Sequence, residues 1–230
     1  MSQSGASRAI VITEASSPVA LATAARLAAG GDLVLMGTRR PDVCERFAAQ
    51  LRSDGAAAFA AYLDLADPPS VDRFVKSADY LIGAVDVLVS AAGLADGSWV
   101  GAQHFAAQVI PPMIDNRCGD VVLISPALVG GSSATADRML EAWVAGLDAE
   151  FVGTGVRASI IRVTASDGNV RPVTMRAAQR PEEEAGNLQV PSDDIACLIA
   201  AAISSPERMH LRVVDVIAPV PVASISALTD

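Results

Sequence analysis

The chain has 230 residues, 51% of them apolar, and a formal net charge of −9. That is enough apolar sequence for one α/β domain with a full core, and too much for a disordered chain. The acidic balance argues against a nucleic-acid groove or an anionic membrane surface as partner, because both need a basic face.

The opening residues, MSQSGAS, are polar and carry no apolar signal segment, and no run of 18 clearly apolar residues follows. A cytoplasmic protein without a membrane span is therefore expected. Cys44, Cys118 and Cys197 lie far apart, with neither disulfide nor metal spacing, and read as small thiols in a reducing compartment.

In chain order, short β-rich apolar runs alternate with longer helical patterns. The first strand, Ala9–Ile12, leads through a short turn into a helix over Pro18–Ala29, with Ser16 or Ser17 as its cap and Gly30-Gly31 as its end. Strands are then predicted at Leu33–Met36, Ala57–Leu63, Val87–Ser90, Val121–Ile124, Arg157–Val163 and Val213–Ile217. The intervening helices are predicted at Pro41–Asp54, Pro69–Tyr80, about 100–116, about 133–151, and Ser192–Ser204, the last capped by Asp193-Asp194. Pro18, Pro41 and Pro69 each stand where a first helical turn tolerates proline. Continuous apolar strands that alternate with helices imply a parallel sheet covered on both faces and a single doubly wound domain over 1–230. The stretch 166–190, polar and rich in Arg, Glu and Pro, reads as an excursion before the last helix and strand.

Several stretches, in this order, resemble the short-chain dehydrogenase/reductase family. AIVITEASSPVA is similar to the family's first strand and its T-G-x-x-x-G-x-G turn, and LVLMGTRR to its second strand with the arginine of NADP-preferring members. LDLAD resembles the stretch that lies against the adenine, VDVLVSAAG the segment ending in N-N-A-G, and VIPPMIDNRCGDVVLIS the fourth helix end and fifth strand. The resemblance implies a Rossmann-type sheet of seven parallel strands in the order 3-2-1-4-5-6-7. It also implies a dinucleotide site at the C-terminal edge, with Thr13, Ser16, Ser17, Arg39, Asp64, Leu65, Ala92 and Gly93 at the cofactor-binding positions. Arg39 and Arg40 either hold a 2′-phosphate or are solvated surface arginines.

The chemistry of those positions departs from the family. Its three turn glycines are replaced by Glu14, Pro18 and Ala20. Proline removes an N–H donor, the carboxylate repels phosphate, and alanine restricts close approach. The asparagine position holds Ser98 and the serine position Pro126. Where the family's Y-x-x-x-K pair stands, this chain has Ser133 or Ala134, then Asp137 or Arg138. Its only tyrosines are Tyr62 and Tyr80 and its only lysine is Lys76, all on the third strand and third helix. His104 and His210 lack metal-ligand neighbours.

From the residues alone, we expect a non-catalytic oligomer subunit or scaffold, with no cofactor or only weak NADP(H) binding. Its partner would be itself or an active relative, through the helices at about 100–116 and 133–151, where the resembling family pairs its subunits. The alternatives are an NADP(H)-dependent oxidoreductase of an unusual type and a non-redox small-molecule binder or enzyme on the same fold.

Overall fold

The computed structural model describes residues 7–90, 98–125, 134–164, 190–206 and 209–217; for 134–137, 163, 164 and 217 it describes the backbone only. Seven strands, β1 (Ala9–Ile12), β2 (Leu33–Thr38), β3 (Ala57–Tyr62), β4 (Val87–Ser90), β5 (Gly119–Ile124), β6 (Val156–Thr164) and β7 (Val213–Ile217), form one sheet in the order β3-β2-β1-β4-β5-β6-β7. Every pairing is parallel, as expected from the sequence. The helices are α1 (Pro18–Ala29), α2 (Pro41–Ser53), α3 (Pro68–Ile82), α4 (Ser98–Asp115), α5 (Ala134–Phe151) and α6 (Ser192–Ile203).

The strands form because β1, β4 and β5 are apolar enough to be buried along their whole length. A parallel sheet needs helices over both faces. On one face, α3, α4 and α5 bury Phe74, Phe105, Met113, Leu140 and Val144; on the other, α1, α2 and α6 bury Val19, Leu27, Cys44, Ile195 and Ile199. Helix α1 begins as expected. Ser17 caps it, with Oγ accepting the Ala20 N–H at 3.2 Å, and Pro18 occupies the first turn. It ends at Gly30, and Gly31 takes a φ of +94°, which a side chain would resist.

Two expectations are corrected. Strand β5 starts at Gly119 rather than Val121, because Asp120 is buried in a bidentate ion pair and not left outside the sheet. Pro191, not an aspartate, takes the cap position of α6, and Asp193 and Asp194 lie in the first turn, where the helix dipole favours them. Helix α5 carries apolar residues on more than one face, and most of them are core. Leu140, Val144, Leu147 and Phe151 are buried, and Trp143 meets Trp99 of α4 edge to face at 5.1 Å. On α4, Phe105, Val109 and Ile110 are likewise buried within the chain. Outward, α5 turns Ala142, Ala145, Gly146 and Ala149 together with Met139, Arg138, Glu141 and Glu150.

The N-terminal edge of the sheet is closed by charge. Arg8 forks onto Asp32 (Nε–Oδ1 3.1 Å, Nη2–Oδ2 2.8 Å) and also donates to Ile203 O at the end of α6. Arg157 forks onto Asp120 (Nε–Oδ1 2.8 Å, Nη2–Oδ2 3.0 Å) and donates to Ser205 O just beyond it. Between them, Asp86 accepts the Ala9 N–H at 2.8 Å. Burial pushes the Asp120 carboxyl up from its ordinary value, and the Arg157 guanidinium opposes that shift. No helix among the described residues is long and apolar enough to cross a membrane.

Removing one partner of a mostly buried fork strands the other charge. Asp120→Ala should therefore cost about 3–5 kcal/mol of stability in urea unfolding. Asp120→Asn, which keeps an oxygen for Arg157, should cost clearly less. Equal losses in the two variants would show that the pair is not what holds this edge.

Candidate functional site

In a doubly wound sheet, ligands bind beyond the C-terminal strand ends, where the strand order reverses. Here that crevice lies between β1 and β4, and the turn Thr13–Ser17 lines it. The turn is pinned on both sides. Thr13 N–H donates to Val89 O at 3.0 Å, and Thr13 Oγ1 donates to Ser90 Oγ at 3.2 Å, with both residues buried. Toward β2, Ala15 N–H donates to Gly37 O at 3.0 Å. Beneath the turn, Cys44 Sγ lies 3.6 Å from Ala15 O, and burial pushes this thiol up.

Glu14 has a φ of +49°. This is the left-handed region, which costs an ordinary L-residue roughly 1–2 kcal/mol and glycine almost nothing. The turn therefore keeps the backbone shape that glycine normally supplies, with glutamate bearing the strain. The donors are fewer than a glycine turn would offer. Pro18 has no N–H, Ala20 N–H is taken by Ser17 Oγ, and Ser17 N–H donates to Glu14 O at 3.3 Å. Within the first helical turn, Val19 supplies the remaining N–H. Ala20 is fully buried, so it packs the helix rather than opening the cradle. The turn thus keeps a glycine-like backbone shape, with fewer donors than a glycine turn and an added carboxylate.

The remaining predicted residues are spread along the same edge. Ser16 is exposed, and Arg39 and Arg40 are exposed at the end of β2, where Arg40 N–H donates to Thr38 Oγ1. Asp64 Oδ1 accepts the Ala66 N–H at 2.9 Å, while Leu65 is buried. Ala92, Gly93, Pro126 and Ser133 lie outside the described residues. Ser98 is buried at the start of α4, Ala134 and Asp137 fall on α5, and Arg138 is exposed there.

Tyr62 and Tyr80 are exposed on β3 and α3, and Lys76 is exposed on α3. Exposed Tyr80 and Lys76 on α3 and exposed Tyr62 on the edge strand β3 therefore make no tyrosine–lysine pair on α5. His104 Nε2 contacts Asp72 Oδ1 at 3.0 Å on the α3–α4 surface and holds that carboxyl below its usual range. His210 Nε2 donates to Ala158 O. Among the described residues, no three metal-ligating side chains cluster.

The sequence did not foretell how tightly α4 crosses the turn after β3. A side chain at Gly101 would place its first carbon 1.6 Å from Leu65 O. The one available signal was a glycine in the first turn of a long helix.

The sequence model of the short chain dehydrogenase family matches residues 8–136. This chain belongs to that family. It is 30% identical over 230 residues to the 1-deoxy-11-beta-hydroxypentalenate dehydrogenase of Streptomyces exfoliatus, covering 89% of this chain and 82% of that protein. It is 28% identical over 229 residues to the glycine betaine reductase of Emericella nidulans, covering 88% of this chain but only 18% of that protein. Among solved structures, a metagenomic short-chain oxidoreductase in complex with NADP superposes with a TM-score of 0.73 at 18% identity, covering 92% of this chain and 97% of that one.

Two variants test the strained turn. Glu14→Gly should raise stability by up to about 1 kcal/mol, or about 2–4 °C in melting temperature. Glu14→Ala, still bound to a positive φ, should not. At the other tight point, Gly101→Ala should destabilise by about 2 kcal/mol or more, because Leu65 O is backbone and α4 must move.

Proposed function

We propose that the chain is a nicotinamide-dinucleotide-binding oxidoreductase of an unusual kind, binding NADP(H) weakly at the C-terminal edge of the sheet. The observation that carries this is the left-handed Glu14: a residue that disfavours the conformation nevertheless holds the phosphate-turn shape. Family membership supports it, as do a dehydrogenase relative and a neighbour solved with NADP. Weak binding thus takes precedence over the expectation of no cofactor.

Thr13 and Ser90 would fix the turn, and Val19 N–H and the N-terminus of α1 would face the pyrophosphate. Asp64 and Leu65 would border the adenine, and Arg39 with Arg40 the 2′-phosphate. When bound, the dinucleotide supplies a hydride. General acid–base help contributes about 10²–10⁴-fold, and α5 carries no tyrosine–lysine pair. Any turnover should be slow by a comparable factor.

A second reading is favoured by that same lack: a subunit without redox turnover, joined to itself or to an active relative through α4 and α5. The exposed surface of α5, with Ala142, Ala145, Gly146 and Ala149, would let another helix approach closely.

Calorimetric titration separates the two. NADPH should bind with Kd about 0.1–1 mM, equivalent to about −4 to −5.5 kcal/mol, and more tightly than NADH. Combining Arg39→Ala with Arg40→Ala should erase the difference between the two cofactors. Glu14→Gly with Pro18→Ala should tighten NADPH binding about tenfold, which is about 1.4 kcal/mol. No NADPH binding at several times the upper figure, by parent or by turn variant, would leave the non-catalytic reading.

A further inference from the structure

The two ends of the sheet are protected unequally. At one end, β7 carries its own charge, Asp215, which is paired with Arg162 of β6. At the other, β3 reads AAFAAY, with no charge and no proline over six residues. A strand of that kind at an open edge offers main-chain donors and acceptors to any similar strand.

The alternation of a parallel ladder decides which groups are on offer. Leu63 N–H turns inward and donates to Thr38 O at 3.0 Å. Ala57, Phe59 and Ala61 share that sense, so the main-chain groups of Ala58, Ala60 and Tyr62 face outward. One outward carbonyl is already taken. Arg52, from the last turn of α2, donates Nη1–H to Ala58 O at 2.6 Å. The same guanidinium lies 5.8 Å from the Phe59 ring centre and is paired with Glu45. Among the described residues, this strand's hydrogen-bonding protection thus comes from a neighbouring helix, as a cation seated on an aromatic ring.

We infer that Arg52 guards this edge, keeping the β3 of a second copy from pairing with it. The second copy is the natural occupant because an uncharged strand meets itself without repulsion. A two-fold axis through the edge would set two β3 strands antiparallel, each satisfying the other's Ala58, Ala60 and Tyr62. With Arg52 in place, that pairing would have to displace each guanidinium group from Ala58 O.

The test uses the full chain, in sedimentation across a concentration series and in amide exchange. Arg52→Ala should associate at least tenfold more strongly than the parent, one step beyond whatever state the parent holds. The Ala60 and Tyr62 amides should become protected as concentration rises. Adding Ala60→Pro removes an outward N–H, which an edge strand tolerates, and should restore the parent's association. Should Arg52→Ala not fold, Arg52→Gln, which keeps a donor for Ala58 O but no charge, should show the same association in weaker form. Unchanged association and exchange in the folded variant would overturn the inference. So would association that Ala60→Pro leaves intact, because the contact would then lie elsewhere or follow from unfolding.

Discussion

Two arginine–aspartate forks hold the closed end of this sheet, and the open end depends on them. Arg8 with Asp32 and Arg157 with Asp120 join the starts of four strand regions, and each also grips a carbonyl at or beyond the end of α6. A helix C-terminus leaves its last carbonyls unsatisfied and partly negative. Two cations placed there satisfy them and fix where α6 lies. Because α6 packs against α1, the position of α6 in turn backs the helix whose N-terminus faces the crevice. The two forks lie at the N-terminal edge, away from the crevice, and at the crevice itself the turn is pinned by backbone groups and hydroxyls.

At that crevice, shape and chemistry have parted. The hydrogen bonds from Thr13 to Val89 O and from Ala15 to Gly37 O over-determine the turn, so it holds its form even with glutamate in a glycine conformation. Electrostatics is less forgiving. The N-terminus of α1 remains a positive pole, but proline and the Ser17 cap have withdrawn donors from it. A fold can keep a ligand's outline through packing alone, while the strength of binding depends on a handful of N–H groups that packing does not protect.

This division also explains what could be read from the sequence. The two helical layers, the Ser17 cap and the proline-started helices followed from apolar runs and capping chemistry, which are local, while the strand order followed from the family resemblance. The start of β5 did not, because Asp120 becomes a strand residue only through Arg157, 37 positions away. What packs on each face of α5 was likewise not legible, because periodicity shows that a helix has apolar faces, but not which neighbour covers each. At the site, replacement of the glycines by Glu14 and Pro18 was plain. The left-handed backbone at Glu14 was not legible, because it is imposed by β2 and β4. The contact of Gly101 with Leu65 O was hidden likewise, since it depends on where α4 crosses a turn 36 residues earlier.

The meeting of Trp99 and Trp143 has a practical side. They are the chain's two tryptophans, one on α4 and one on α5, and their rings touch edge to face at 5.1 Å. The protein's tryptophan fluorescence therefore comes from a single spot, and indoles in edge-to-face contact couple strongly enough to change both emission and circular dichroism as they separate. Any event that slides α4 against α5, whether a bound nucleotide, a docked subunit or early loosening of that face, is written into an optical signal that needs no label.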